Sequence, residues 1–426
     1  MEVLNCSKIK EKAYIEKLEN GLKVIIIPKK ETNKKYVIWG TNFGSNDNRF
    51  IYPETGEEVV VPDGVAHFLE HKMFEQPDES NSLDKLMALG IDANAYTTND
   101  HTAYLIESTD DETFYKGLDE FMDYVQSPYY TDKNVEKEKG IIGQEIMMYD
   151  DDPGFQLYLN TLKCLYEKNP IRIDIAGSID TIAKIHPDIL YKCYNTFYNP
   201  SNMVLVASGN LEPEQFLNEI KSRLKPTKDI GDITRIFDEE PEKIYQNYIE
   251  KNMSVSMPIF MIGFKDKVVP KEERIKRHMA IEVLLGIAVG KSSKLFKELY
   301  DNQNIFGELE YEYEFSKRYA HVLISGQSNN PQLVKKMLID ELKKIKSGGI
   351  NPEDFERAKR KIYGMFVAEF NDVASISRMF LTDAIKGVNT FDYVEKYEEV
   401  NIEYTNQILN EIFSDENCAL SVVKGN

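Results

Sequence analysis

A chain of 426 residues cannot close around a single hydrophobic core, because cores stop growing at about 250–300 residues and longer chains divide. Two units of roughly 200 residues each are therefore expected. The division is expected in PTKDIGDITRIFDEEPEK, residues 226–243, a polar stretch with two prolines, clustered charge and little periodicity. This places a first domain over 1–225, a linker over 226–243 and a second domain over 244–426.

Local signals fill in the first half. LENGLKVIIIP, residues 18–28, reads as a hairpin turn at Asn20-Gly21 leading into a strand stopped by Pro28. A helix is expected after Asp63-Gly64, carrying AHFLEHKMF, and a second, SLDKLMAL, ends at Gly90. ANAYTT and TAYLIES alternate as two strands with Asn99-Asp100 near their turn. Helices follow over about 111–126 and about 132–149, the latter capped near Thr131-Asp132. Beyond the linker the order repeats loosely, with a strand at PIFMIGF, a helix over about 273–290 and long helices from Pro352. Two similar α/β halves follow from that order.

Composition narrows the classes. Apolar residues make up 42% of the chain, enough for two cores. Against 52 basic residues stand 71 acidic ones, a formal net charge of −19, which disfavours nucleic acid as a partner. Cys6, Cys164, Cys193 and Cys418 are scattered and read as reduced thiols, neither a disulfide framework nor a metal site. Met1–Lys12 has no apolar core of a leader, and no stretch reaches the 18 or so apolar residues of a membrane span. A cytoplasmic protein is expected.

His67-Phe68-Leu69-Glu70-His71 spells H-x-x-E-H. On a helix, positions i, i+3 and i+4 share one face, so two imidazoles and a carboxylate project together. Two histidines four apart can ligate one zinc, with the carboxylate close enough to work on the attacking water without binding the metal. A catalytic zinc takes a third protein ligand. Glu136, Glu138 and Glu145, in VEKEKGIIGQEIMMY, are candidates; Glu138 and Glu145 lie two turns apart on one face, and spacing does not choose between them.

GVAHFLEHKMFE, ANAYTTNDHTAYL and VEKEKGIIGQEI together resemble the pitrilysin and mitochondrial processing peptidase family of zinc peptidases. LENGLKVIIIP, RIDIAGSIDTIAKI and YNPSNMVLVASGN support the match, which covers nearly the whole first half and weakens after the linker. Within the family, the chain is most similar to bacterial processing-peptidase-like members. The resemblance implies an α+β fold of two similar domains, each an antiparallel sheet with helices on one side, hinged as a clamshell. It implies a zinc endopeptidase in which His67, His71 and Glu145 hold Zn2+, Glu138 supports a ligand, and Glu70 is the catalytic base. Asn94 and Ala95, on an edge strand, would bind an extended peptide. Leader or precursor processing is one use of such an enzyme.

One departure stands out. Active relatives carry an Arg and a Tyr seven residues apart in the second half, where they grip substrate. Here the matching stretch, SKLFKELYDNQNIFG, puts Tyr300 and Gly307 at those positions. The neighbouring Arg318-Tyr319 is not expected to substitute, as adjacent residues of a strand face opposite ways. A heterodimer is therefore expected, in which a homologous zinc-free subunit supplies the Arg/Tyr clamp. The rival readings are a short quorum-signal lyase, which shares H-x-x-E-H but uses a cysteine ligand, and a non-catalytic scaffold subunit, in which the motif would be lost. GIAVGKSS, Gly286–Ser293, falls one residue short of a phosphate loop, with Leu at 285. Asp150, Asp151 and Asp152 read as a helix end, and His101, His186, His278 and His321 as structural.

Overall fold

The computed structural model describes residues 1–425. Strands β1 (Glu2–Cys6), β2 (Glu11–Lys17), β3 (Lys23–Pro28) and β4 (Lys35–Thr41) open the chain, and β5 (Arg49–Ile51) pairs with β6 (Glu58–Val60) as a small separate ribbon. Helices α1 (Val65–Lys72) and α2 (Ser82–Ala88) precede the hairpin of β7 (Asp92–Thr97) and β8 (Thr102–Ser108). Then come α3 (Asp111–Val125), α4 (Asp132–Asp150), α5 (Pro153–Leu165), α6 (Ile179–Ile182), α7 (Pro187–Phe197), β9 (Met203–Gly209) and α8 (Pro213–Arg223). The later part runs β10 (Tyr248–Asn252), β11 (Ile259–Asp266), α9 (Lys271–Ala288), α10 (Lys294–Asp301), β12 (Glu310–Phe315) and β13 (Ala320–Gln327). It closes with α11 (Pro331–Gly348), α12 (Pro352–Glu369), α13 (Val373–Lys386), α14 (Asp392–Glu395), α15 (Ile402–Ile412) and β14 (Cys418–Lys424).

Residues cluster into two compact units, and neither is continuous in sequence. The first takes Met1–Ile146, Asp174–Phe237 and Ala368–Thr390; the second takes Met147–Ile173, Asp238–Val367 and Phe391–Asn426. The first unit holds a seven-stranded sheet ordered β1-β2-β3-β9-β4-β8-β7 and the second a five-stranded sheet ordered β10-β14-β11-β13-β12. Five neighbours of the first, β3-β9-β4-β8-β7, have the same connectivity as the whole of the second. The repeat that is faint in sequence is thus a repeat of topology.

Each sheet is antiparallel apart from one parallel pair, β3 with β9 and β10 with β14. The antiparallel sheets that the resemblance implies are present, and the one parallel pair in each joins strands far apart in sequence, which long crossovers through helices allow. Helices also cover both faces of each sheet, where one was expected. In the first unit, Trp39 of β4 packs on Phe121 of α3, ring centroids 6.4 Å apart. Its opposite face receives α13: Arg378 donates to the Tyr36 hydroxyl at 3.0 Å, and Leu381 lies over Gly40. A Cβ on Gly40 would come within 2.7 Å of Leu381, so this approach requires glycine. In the second unit, α5 lies over Gly263 of β11, where a Cβ would meet Thr161 at 2.8 Å. Phe264, pointing the other way, packs on Phe413 beyond α15.

Residues 226–243 form neither helix nor strand, yet they are tied down. The Arg235 guanidinium donates to Asp47 at 2.8 Å and rests over the Phe197 ring. Glu240 accepts the backbone N–H groups of Glu167, Lys168 and Asn169 at 3.0, 2.8 and 2.7 Å, and pairs with the Lys265 ammonium. The four cysteines are free and buried. GIAVGKSS begins in the last turn of α9, and its Ser293 caps α10 by accepting the N–H of Phe296. Asp152 caps α5. No helix among the described residues is long and apolar enough to cross a membrane.

Candidate metal centre

Helix α1 starts at Gly64, whose φ is +94° and whose Cβ would lie 2.4 Å from the Ala176 carbonyl oxygen. Only glycine fits a left-handed conformation that tight. Val65, Ala66, Phe68 and Leu69 bury the helix in the first unit's core. The remaining side brings His67 and His71 together, ring centroids 4.6 Å apart.

Glu145 reaches this pair from α4. Its Oε1 lies 3.6 Å from His67 Nε2 and its Oε2 lies 3.5 Å from His71 Nε2. One donor atom from each of the three residues lies within 4.8 Å of the others, the one such cluster among the described residues. Donors held about 2.0–2.1 Å from a tetrahedral zinc sit about 3.4 Å apart. The spacing and the His/His/Glu chemistry therefore fit a catalytic Zn2+. The imidazoles beside Glu145 hold its carboxyl below the usual range, His67 first, so it stays an anionic donor.

Glu138, two turns earlier on α4, does something different. Its Oε1 lies 3.1 Å from His71 Nδ1, the nitrogen turned away from Glu145. A carboxylate there fixes the tautomer that leaves Nε2 free to bind a metal. Glu138 Oε2 accepts from the Lys72 ammonium at 3.3 Å, and Lys72, with no exposed surface, also pairs with Glu75 at 2.7 Å. Burial alone would raise the Glu138 carboxyl, but His71 and Lys72 outweigh it and hold it low. Glu136 lies on the exposed side, paired with Lys139.

Glu70 is buried, and the Thr97 hydroxyl of β7 donates to its Oε2 at 2.6 Å. Burial pushes its carboxyl up, opposed by Thr97 and the two imidazoles. Asn94 and Ala95 lie on the same strand, at the edge of the sheet. Asn94 Oδ1 accepts the N–H of Ala95 at 2.8 Å, so its amide nitrogen is the group it can offer outward. Lys72 and Thr97 are absent from the sequence reading. Lys72 adjoins the motif but nothing local marks it as buried, and Thr97 meets Glu70 only once β7 packs on α1.

Other singled-out residues have settings of their own. Tyr300 is exposed on α10, and Gly307 takes a left-handed conformation, φ +94°. Arg318 and Tyr319 lie in the β12–β13 turn, which Ser316 closes by donating its N–H to the Tyr319 carbonyl. The strand alternation invoked for them does not apply, because β12 ends at Phe315. Tyr319 is buried, its hydroxyl donating to Glu314. His101 bonds Thr98, and burial pushes it down to about 4. His278 meets the Tyr393 hydroxyl and His321 that of Tyr166.

Residues 58–177 match the family described as Insulinase (Peptidase family M16), and residues 184–362 the one described as Peptidase M16 inactive domain. The uncharacterized zinc protease YmfH of Bacillus subtilis is 37% identical over 422 residues, covering 98% of this chain and 97% of that one. A putative M16-like peptidase from Alicyclobacillus acidocaldarius superposes with a TM-score of 0.93 at 32% identity, covering 98% and 99% of the two chains. The first half of PqqL, a periplasmic protease of Escherichia coli, superposes with a TM-score of 0.76 at 16% identity, covering 100% of this chain and 94% of that one. By sequence, PqqL is 25% identical over 223 residues, half of this chain and 23% of its own length. PqqL corrects the cytoplasmic placement expected from the sequence. A fold built on packed sheets and free, buried thiols is not tied to a reducing compartment.

Proposed function

The chain belongs to the M16 (insulinase) family of zinc peptidases, and from that premise we propose that it cleaves extended peptides or unfolded segments through the residues around His67, His71 and Glu145. It is a zinc metalloendopeptidase. The observation that carries the reading is the convergence of those three donors, with Glu70 on the short helix that carries the two histidines.

A bound zinc supplies Lewis acidity, which polarises a scissile carbonyl and makes water acidic enough to attack near neutral pH. His67, His71 and Glu145 would hold the ion, and Glu138 orients His71 through its Nδ1. Glu70 takes the proton of the attacking water on a carboxylate oxygen and returns it to the leaving amine; such acid–base help contributes about 10²–10⁴-fold. An extended peptide adds to the free edge of β7, where the Ala95 backbone and the Asn94 amide meet it. Glu70→Gln is expected to keep zinc and fold while losing nearly all peptide hydrolysis. Wild-type turnover in that variant would show Glu70 is not the base.

The active assembly in this reading is a heterodimer that removes leaders or processes precursors. Its support is Tyr300, without charge, and Gly307, without a side chain, at the two clamp positions. A homologous zinc-free subunit supplies the missing Arg and Tyr, donors suited to a developing oxyanion. Sedimentation and peptide cleavage, measured on the chain alone and mixed with a homologous subunit, test this. Activity should appear on mixing; full activity from the isolated chain would sink the heterodimer while leaving the zinc site untouched.

A further inference from the structure

We propose that Thr97 is a positioning residue for the base, aiming Glu70 from the strand on which the peptide docks. The proposal rests on the reading of Glu70 as base and adds a part that neither motif nor family match assigns. The contact is 2.6 Å from Thr97 Oγ1 to Glu70 Oε2, within the short range of a hydroxyl donating to a carboxylate.

The direction of that bond follows from counting protons. A threonine hydroxyl has one proton to give. Thr102 Oγ1, 3.3 Å from Thr97 Oγ1, spends its proton on the Phe43 carbonyl at 2.9 Å. A carbonyl can only accept, so Thr102 has nothing left to donate. Thr97 keeps its own proton for Glu70, and Thr102 stands behind it as an acceptor. Glu70 Oε2 thereby accepts one fixed hydrogen bond, and the carboxylate keeps its remaining lone pairs for proton transfer. Without the bond, a buried glutamate with three rotatable side-chain torsions would lose the partner that fixes its carboxylate plane.

Sequence offers two hydroxyls, Thr97 and Thr98, and they are not equivalent. Thr97 is the last residue of β7, and Thr98 lies beyond it. Thr98 turns into the hairpin, where its hydroxyl meets His101. Thr97 shares its face with Ala95, two residues or about 6.6 Å away along the strand. The backbone that receives the peptide and the hydroxyl that holds the base are therefore referenced to one short strand. Misplacing a reacting group by about 1 Å can cost about 10²-fold in rate, so such a shared reference matters.

Thr97→Val keeps the shape and β-branching and removes the donor; Thr97→Ser keeps the donor. Thr97→Val is expected to lower kcat about 10- to 100-fold, the scale of one hydrogen bond to a charged group, with KM and zinc content unchanged. Thr97→Ser should recover most of the rate. In the Glu70→Gln background, where peptide is held uncleaved, adding Thr97→Val should leave the affinity for a fluorescent peptide unchanged. Thr97→Ala, compared well below its own Tm, should repeat the loss of kcat if valine disturbs folding. Wild-type kcat in Thr97→Val, equal impairment in Thr97→Ser, or a loss confined to KM or zinc overturns the proposal. Full turnover in Glu70→Gln would instead overturn the base assignment, and this proposal with it.

Discussion

Glu138 and Glu145 are the same residue type on the same helix face, and what separates their roles is the imidazole nitrogen each one meets. Glu145 sits near both Nε2 atoms, whereas Glu138 meets His71 Nδ1 and Lys72. Glu145→Ala should therefore lose stoichiometric zinc, measured by metal analysis after gel filtration. Glu138→Gln should retain zinc with affinity weakened about 10- to 100-fold, the usual cost of removing a ligand's outer partner, read by chelator competition. Full zinc in the first variant with loss in the second would exchange the two roles. Helical periodicity is enough to bring His67, Glu70 and His71 together, because three and four residues make one turn. It could not rank Glu138 against Glu145, since seven residues make two turns and both stay on one face. Thr97 and Lys72 are illegible for another reason: Glu70 for the one and Glu138 for the other come from elements distant in sequence.

At the level of elements, the two hairpins β7–β8 and β12–β13 show how duplicated parts diverge. Counted back from turns of equal length, Ala95 corresponds to Tyr313. The Ala95 N–H is covered by its neighbour Asn94, a side chain that can swing aside. The Tyr313 N–H is taken by Glu282 of α9 at 3.1 Å. The edge of β12 is thus closed by a helix at the position where that of β7 stays open. Helix α9 is also tied to α15: Arg277 donates to Glu411 at 3.0 Å, and Lys267 and Gln407 meet the same carboxylate. Burial would raise Glu411, but those three partners outweigh it and bring it down to about 2 from an ordinary 4.5. A depressed carboxyl stabilises fully above its unfolded value and loses that contribution as pH falls through its folded one. Glu411→Gln should cost on the order of 2 kcal/mol in urea unfolding at pH 7, allowing for solvent screening. The gap to wild type should narrow between pH 4.5 and about 2. A pH-independent gap would mean packing, not charge, links the helices. The β7–β8 hairpin and α9 are legible in the sequence within a few residues, because turn residues and caps act locally, whereas β12, β13 and α15 are not placed by it. The parallel partners β9 and β14 are not legible either, since long-range pairing leaves no local pattern.

For the whole molecule, the division of the chain matters more than its linker. The expected first domain, 1–225, ends well before α13, yet Ala368–Thr390 belongs to the first unit. From α13, Val373, Ile376, Phe380, Leu381 and Ile385 are buried, and Leu381 and Arg378 lie against Gly40 and Tyr36 of the central strand β4. At about 1.5–3 kcal/mol per buried side chain, and discounting for a compact unfolded chain, their loss costs on the order of 5–10 kcal/mol. That is comparable to the whole stability of a typical domain, about 5–15 kcal/mol. The metal ligands all lie before residue 146, but the sheet behind them should not hold together without α13. A fragment of residues 1–237 is therefore expected to melt without a cooperative transition, bind a hydrophobic dye and hold little zinc. Joining residues 368–390 to it through a flexible linker should restore a cooperative melt and stoichiometric zinc. Calorimetry, dye binding and metal analysis on the two proteins decide the matter. If 1–237 alone melts cooperatively with zinc bound, the contiguous division read from sequence is the folding unit, and α13 is only a late addition to it.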